Sequence, residues 1–98
     1  MMQTMLLLNI NPRLEEDLVD YLLSKEFIDG FTSYTVHGHG IHSDMSLTEQ
    51  VSGRRKRLQV EAILNKESVN ELLSGLKENV GTDIVYWEQT ISNKGRID

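Results

Sequence analysis

Between Arg57 and Leu64 the chain alternates without interruption. Leu58, Val60, Ala62 and Leu64 fall on one side of an extended backbone, and Arg57, Gln59, Glu61 and Ile63 on the other. Successive side chains of a strand point to opposite faces, so this segment predicts a strand with one well-buried face. Such a face needs a second layer, and two stretches can supply it. Leu14, Leu18, Tyr21 and Leu22 recur at helical spacing, with Val19 and Leu23 widening the stripe. Val69, Leu72, Leu73 and Leu76 fall at i, i+3, i+4 and i+7, the spacing of one helical face.

The remaining elements follow in order. Met5 to Ile10 is apolar on both sides, Leu6, Leu8 and Ile10 against Met5 and Leu7, the pattern of a central strand. Asn11 is a good cap and Pro12 suits a first helical position. Glu15, Glu16 and Asp17 follow near the positive end of the helix dipole, so the first helix is expected from Pro12 to Lys25. Asp29-Gly30 is a turn, and Phe31 to His37 is β-branched and aromatic enough for a strand. Gly38 to Gly53 has no sustained period and is expected to be a long loop, with room for one helical turn over Ser46 to Val51. Asn65 can cap a second helix that carries Lys77 near its end. Val80 to Asp83 is its exit turn, Ile84 to Ile91 the last strand, and Ser92 to Asp98 a frayed end.

This order predicts one α+β domain over residues 1–98 with ferredoxin-like βαββαβ topology. A four-stranded antiparallel sheet carries two helices on one face and a long loop between strands 2 and 3. The other face would hold Met5, Leu7 and Ile63 with some of Val85, Trp87 and Ile91. A face that apolar calls for a cover, and the simplest is another copy of the chain.

Composition narrows the function classes. The net charge of −5 argues against non-specific nucleic-acid binding, which needs a basic surface. There is no cysteine, which removes disulfides, thiolate metal sites and cysteine nucleophiles. Met5 to Leu8 is too short for a signal-peptide core, no basic segment precedes it, and nothing reaches the length of a membrane span. A cytoplasmic protein without membrane insertion is expected.

Gly30-Phe31-Thr32 through Val36-His37-Gly38-His39-Gly40 is similar to strand 2 of the PII signalling proteins, where a glycine opens the strand and Val-x-Gly-x-Gly begins the long T-loop. Arg57-Leu58-Gln59-Val60-Glu61 resembles the start of their strand 3. The chain looks closest to small PII-like proteins, some associated with heavy-metal efflux systems; the CutA divalent-cation tolerance proteins share the fold. The resemblance implies a non-enzymatic regulator and a homotrimer with sheets facing inward. It also implies a T-loop-like segment over about 38–56 and ligand sites in the clefts between subunits. It departs at the glycine-rich phosphate loop before the last strand, whose place is held by Asn79-Val80-Gly81-Thr82-Asp83. No tyrosine lies between His42 and Arg57.

Two constellations carry chemistry. His37, His39 and His42 form a compact histidine set that can bind Zn²⁺, Ni²⁺ or Cu²⁺, with Asp44 or Glu49 as a further ligand. The competing reading is three solvated loop histidines. Gly53-Arg54-Arg55-Lys56-Arg57 can clamp phosphate or carboxylate. Gly38 and Gly40 would offer backbone N–H groups, so Gly38, Gly40, Arg54 and Arg55 are the candidate site for an anion such as an adenine nucleotide. Against this stands a solvated basic segment that offsets the acidic helix start. Glu15, Glu16 and Asp17 are expected to be solvated. Ser43, Ser46 and Ser52 have no visible base, so no catalytic residue is assigned. A small ferredoxin-like hydrolase of the acylphosphatase type is the lower-ranked alternative. The resulting expectation is a regulator that binds a metal ion or a nucleotide at the base of a mobile loop and signals to a protein partner through residues 38–56.

Overall fold

The alternating segment belongs to the longest strand among the described residues and lies inside the sheet. The computed structural model describes residues 2–39 and 54–98. Strand β1 (Gln3–Ile10) leads through one 3₁₀ turn (Pro12–Leu14) into helix α1 (Glu15–Leu23), and then β2 (Phe31–His39). Strand β3 (Arg54–Asn65) leads through a second 3₁₀ turn (Lys66–Ser68) into α2 (Val69–Ser74) and α3 (Leu76–Asn79), and β4 (Val85–Thr90) closes the fold. The sheet order is β2-β3-β1-β4 with every neighbouring pair antiparallel. This is the ferredoxin-like α+β arrangement expected from the sequence.

The core forms where the patterns meet. Leu6, Leu8 and Ile10 of β1 and Leu58, Val60 and Leu64 of β3 pack against Leu14, Leu18, Leu22, Val69, Leu72 and Leu76. Burying each such side chain contributes roughly 2 kcal/mol, so these apolar rows dominate the favourable side of folding. Tyr21 joins the two helical layers through its hydroxyl, which donates to the Leu72 carbonyl at 2.7 Å.

Several boundaries differ from expectation, each for a physical reason. The first helix begins with a 3₁₀ turn whose Arg13 amide donates to Asn11 Oδ1 at 3.0 Å, and it stops at Leu23 rather than Lys25. The second helix breaks at Gly75. A Cβ at Gly75 would meet the Tyr21 hydroxyl, so glycine lets the ring pack here without a shift, and glycine weakens a helix interior. Asn65 occupies a cap position but makes no side-chain cap bond.

The sheet corrects the sequence reading most at the β2–β3 hairpin. β2 continues to His39 and β3 starts at Arg54, so Gly38, His39 and Arg54 to Lys56 are strand residues rather than loop. His37 pairs with Lys56, Gly38 with Arg55 and His39 with Arg54. Backbone ladder bonds need no apolar side chains, so pairing runs on after the hydrophobic alternation stops. The expected helical turn over Ser46 to Val51 lies outside the described residues.

Candidate functional site

Register decides what the extended hairpin presents. Residues directly opposite in a sheet share a face. His37 and His39 are therefore in phase with Lys56 and Arg54, on the side that carries the helices, and all four are exposed. Gly38, Arg55, Val36 and Arg57 belong to the other face. The sequence expectation that His37 and His39 project together if the strand continues is met. Lys56 stands opposite His37 and Arg54 opposite His39, so each imidazole has a basic side chain as its cross-strand neighbour. Gly40 and His42, with Asp44 and Glu49, lie outside the described residues. Among the described residues no group of three His, Asp or Glu side chains converges on a metal position.

On the opposite face Arg55 and Arg57 are each 3 % exposed, and both reach Asp83. Arg57 donates from Nε to Asn9 Oδ1 at 2.6 Å, and from Nη2 to the Asn9 and Asp83 carbonyls, both at 2.8 Å. Its Nη1 donates to Asp83 Oδ2 at 3.0 Å, and Arg55 Nη2 donates to the same oxygen. Asp83 occupies the left-handed region at φ 60, which aspartate tolerates better than most residues. Just before it, a Cβ on Gly81 would lie 3.1 Å from Leu14, so a glycine lets this turn close on the core. Desolvation pushes the Asp83 carboxyl up; the bond from Arg55 and the charges of Arg57 and Arg55 outweigh it and hold the group below its ordinary range.

The clamp was not legible as a unit. The basic run marks Arg55 as an anion ligand, whereas Asp83 falls in the exit turn and Asn9 within the first strand, with nothing in the sequence to join them. The available signal was an acidic residue just before the last strand of a chain whose third strand begins with a basic run.

The polar chain continues from Asn9 across the open face. Asn9 Nδ2 donates to Gln59 Oε1 at 3.3 Å, Gln59 Nε2 to the Tyr34 hydroxyl at 3.1 Å, and Tyr34 to Glu61 Oε1 at 2.7 Å. The bond to Glu61 raises the Tyr34 pKa, with a smaller contribution from desolvation. Beyond Glu61, Met5, Gly30, Phe31, Thr32 and Ile63 line a cleft of about 190 Å³. The same face buries Leu7 yet leaves Trp87 39 % and Val85 53 % exposed. The connection after β1 is tight: β1 ends at Ile10, the next turn opens at Pro12, and the Asn11 side chain is committed to capping. It leaves no loop of the kind that cradles phosphate in an acylphosphatase-type site.

A family model described as a protein of unknown function (DUF3240) matches residues 1–98. The chain belongs to the DUF3240 family. No functionally curated protein matches it. Among solved structures, it is similar to a DUF3240 family protein from Shewanella baltica OS155, with TM-score 0.81 and 22 % identity over 98 % of this chain and 97 % of that one. The periplasmic divalent cation tolerance protein CutA from Archaeoglobus fulgidus superposes with TM-score 0.74 at 9 % identity, covering 97 % of this chain and 89 % of that one. GlnK from B. subtilis superposes with TM-score 0.65 at 22 % identity, covering 96 % and 89 % respectively. These likenesses place this DUF3240 chain in the PII/CutA-type fold. Among the described residues no helix is long and apolar enough to cross a membrane.

Proposed function

We propose that this DUF3240 protein is a PII-like regulator that binds a small anionic ligand, an adenine nucleotide being the leading class, where the β2–β3 hairpin meets the turn before β4. The observation that carries this reading is the paired register of Arg54, Arg55 and Lys56 with His39, Gly38 and His37, which gathers cations on both faces of one hairpin. Arginine forks suit phosphate and carboxylate. The likeness to GlnK and CutA supports the regulator class. Ligand occupancy at the hairpin would change segment 38–56, which engages a protein partner, as segment ordering does in other switches. The protein acts in the cytoplasm and has no enzymatic activity of its own.

The assembly is a homotrimer with sheets facing inward. Its support is the exposed Trp87 and Val85 beside Leu7 on the sheet face without helices.

A second reading is a divalent metal, Zn²⁺, Ni²⁺ or Cu²⁺, on His37, His39 and His42. It is favoured by the two described histidines sharing one strand face. Calorimetric titration of metal-stripped protein with ADP and, separately, with the three metals at neutral pH and about pH 5 decides between them. Arginine-held nucleotide binding persists in acid, whereas histidine-held metal binding collapses as imidazoles protonate. Metal binding alone, lost in a His37→Ala/His39→Ala/His42→Ala variant, would overturn the nucleotide reading.

A further inference from the structure

The chain beyond β4 turns back across the sheet. Lys94 lines the same cleft as Asp29 and Thr32, although β4 and β2 are the two outer strands. On the way, residues 91–94 pass Met2 and Gln3 at the start of β1. The cleft is therefore built from three separate parts of the chain: the turn before β2, the sheet itself and the segment after β4.

It has an apolar floor and a charged rim. Met5 and Ile63 are cross-strand partners on the face without helices, and both are half-buried. Glu61 stands on the same face, opposite Thr32. Two carboxylates, Asp29 and Glu61, and the Lys94 ammonium thus surround one volume of about 190 Å³. They do not pair with one another. Among the described residues the side chains of Asp29 and Lys94 have no hydrogen-bond or ion-pair partner. Glu61 bonds the Tyr34 hydroxyl through Oε1, which orients the carboxylate and leaves Oε2 able to accept.

These groups select a ligand with charges of both signs. A plain amine would suit the carboxylates but meet the like charge of Lys94, and a plain carboxylate would meet two like charges. A zwitterion avoids both conflicts, and the floor takes an apolar substituent. The volume lies below the roughly 300–1,000 Å³ of pockets for drug-sized ligands, so it suits a molecule of amino-acid size.

We propose that this cleft binds a zwitterionic α-amino acid with an apolar side chain. The ligand ammonium sits between Asp29 and Glu61, its carboxylate meets Lys94, and its side chain lies on Met5 and Ile63. This is a second site, independent of the anionic-ligand reading of the β2–β3 hairpin. Occupancy would pin the segment after β4 to the start of β2.

The test is calorimetric titration of the full chain with L-leucine, with isopentylamine, which lacks the carboxylate, and with 4-methylpentanoate, which lacks the ammonium. Leucine should bind saturably and both analogues at least about tenfold more weakly. Lys94→Gln and Glu61→Gln should each weaken leucine about tenfold. Lys94 is exposed and lies beyond the last strand, so its substitution leaves the fold intact and reads on the ligand alone. Lys94→Gln should also leave the weak binding of isopentylamine unchanged, since the amine has no group for Lys94 to hold. No leucine binding to the wild type, equal leucine binding by Lys94→Gln, or isopentylamine binding as tight as leucine each overturns the proposal.

Discussion

Arg57 ties the end of β1 to the turn before β4 with a single guanidinium, bonding Asn9 on one side and both the carbonyl and the carboxylate of Asp83 on the other. The sheet order puts β3 beside β1 and β1 beside β4, so Arg57 reaches across the central strand. It fixes the site geometry before any ligand arrives.

Arg57→Ala should therefore destabilise the fold by about 3 kcal/mol, because it removes a buried guanidinium together with its bonds to the half-buried Asn9 and to Asp83. Arg54→Ala, at an exposed position, should cost well under 1 kcal/mol, in the range of roughly 0.5. Urea midpoints of the two variants measure the difference. Arg57→Lys should recover little, since one ammonium cannot reproduce the fork.

Acid should weaken the clamp. The Asp83 carboxyl is depressed in the folded state, so the stability it contributes is present above the ordinary value of 3.8 and is lost as pH falls through the lower folded value. A melting-temperature profile from neutral pH into acid should show this loss, and Asp83→Asn should flatten it. The partial exposure of Asp83 keeps the effect modest.

Gly75 and Tyr21 should behave as a coupled pair. Gly75→Ala should cost about 2 kcal/mol, because the new methyl meets the Tyr21 hydroxyl. Tyr21→Phe loses the bond to Leu72 but removes the clashing oxygen. The double variant should then be more stable than the sum of the single losses predicts, a sign that a double-mutant cycle by chemical denaturation reads directly.

The parts of this account legible in the sequence are those carried by side-chain periodicity. β1 and β3 were readable because Leu6, Leu8 and Ile10 alternate as cleanly as Leu58, Val60 and Leu64. Periodicity also misled: Val69, Leu72, Leu73 and Leu76 keep one face across Gly75, so the break there is invisible without knowing that Tyr21 lies against it. The hairpin extension to His39 and Arg54 was hidden because backbone bonds sustain it among polar side chains. At the site, the common face of His37 and His39 follows from strand alternation alone. The Arg55–Asp83 contact does not, since it joins residues 28 positions apart through a turn with a left-handed aspartate.

Self-association should depend on the open sheet face. Trp87→Asp should convert the oligomer to a monomer in sedimentation velocity while leaving the ferredoxin-like fold intact by circular dichroism, because Trp87 lies on the face opposite the helices, across from Leu7. A wild type that sediments as a monomer would contradict the trimer.

The central claim is that the basic hairpin binds an anionic ligand. The most direct measurement is calorimetric titration of ADP into the wild type and into an Arg54→Ala/Arg55→Ala variant at neutral pH. The account predicts saturable binding to the wild type and its loss in the variant. No binding to the wild type, or the same affinity in both proteins, would contradict it.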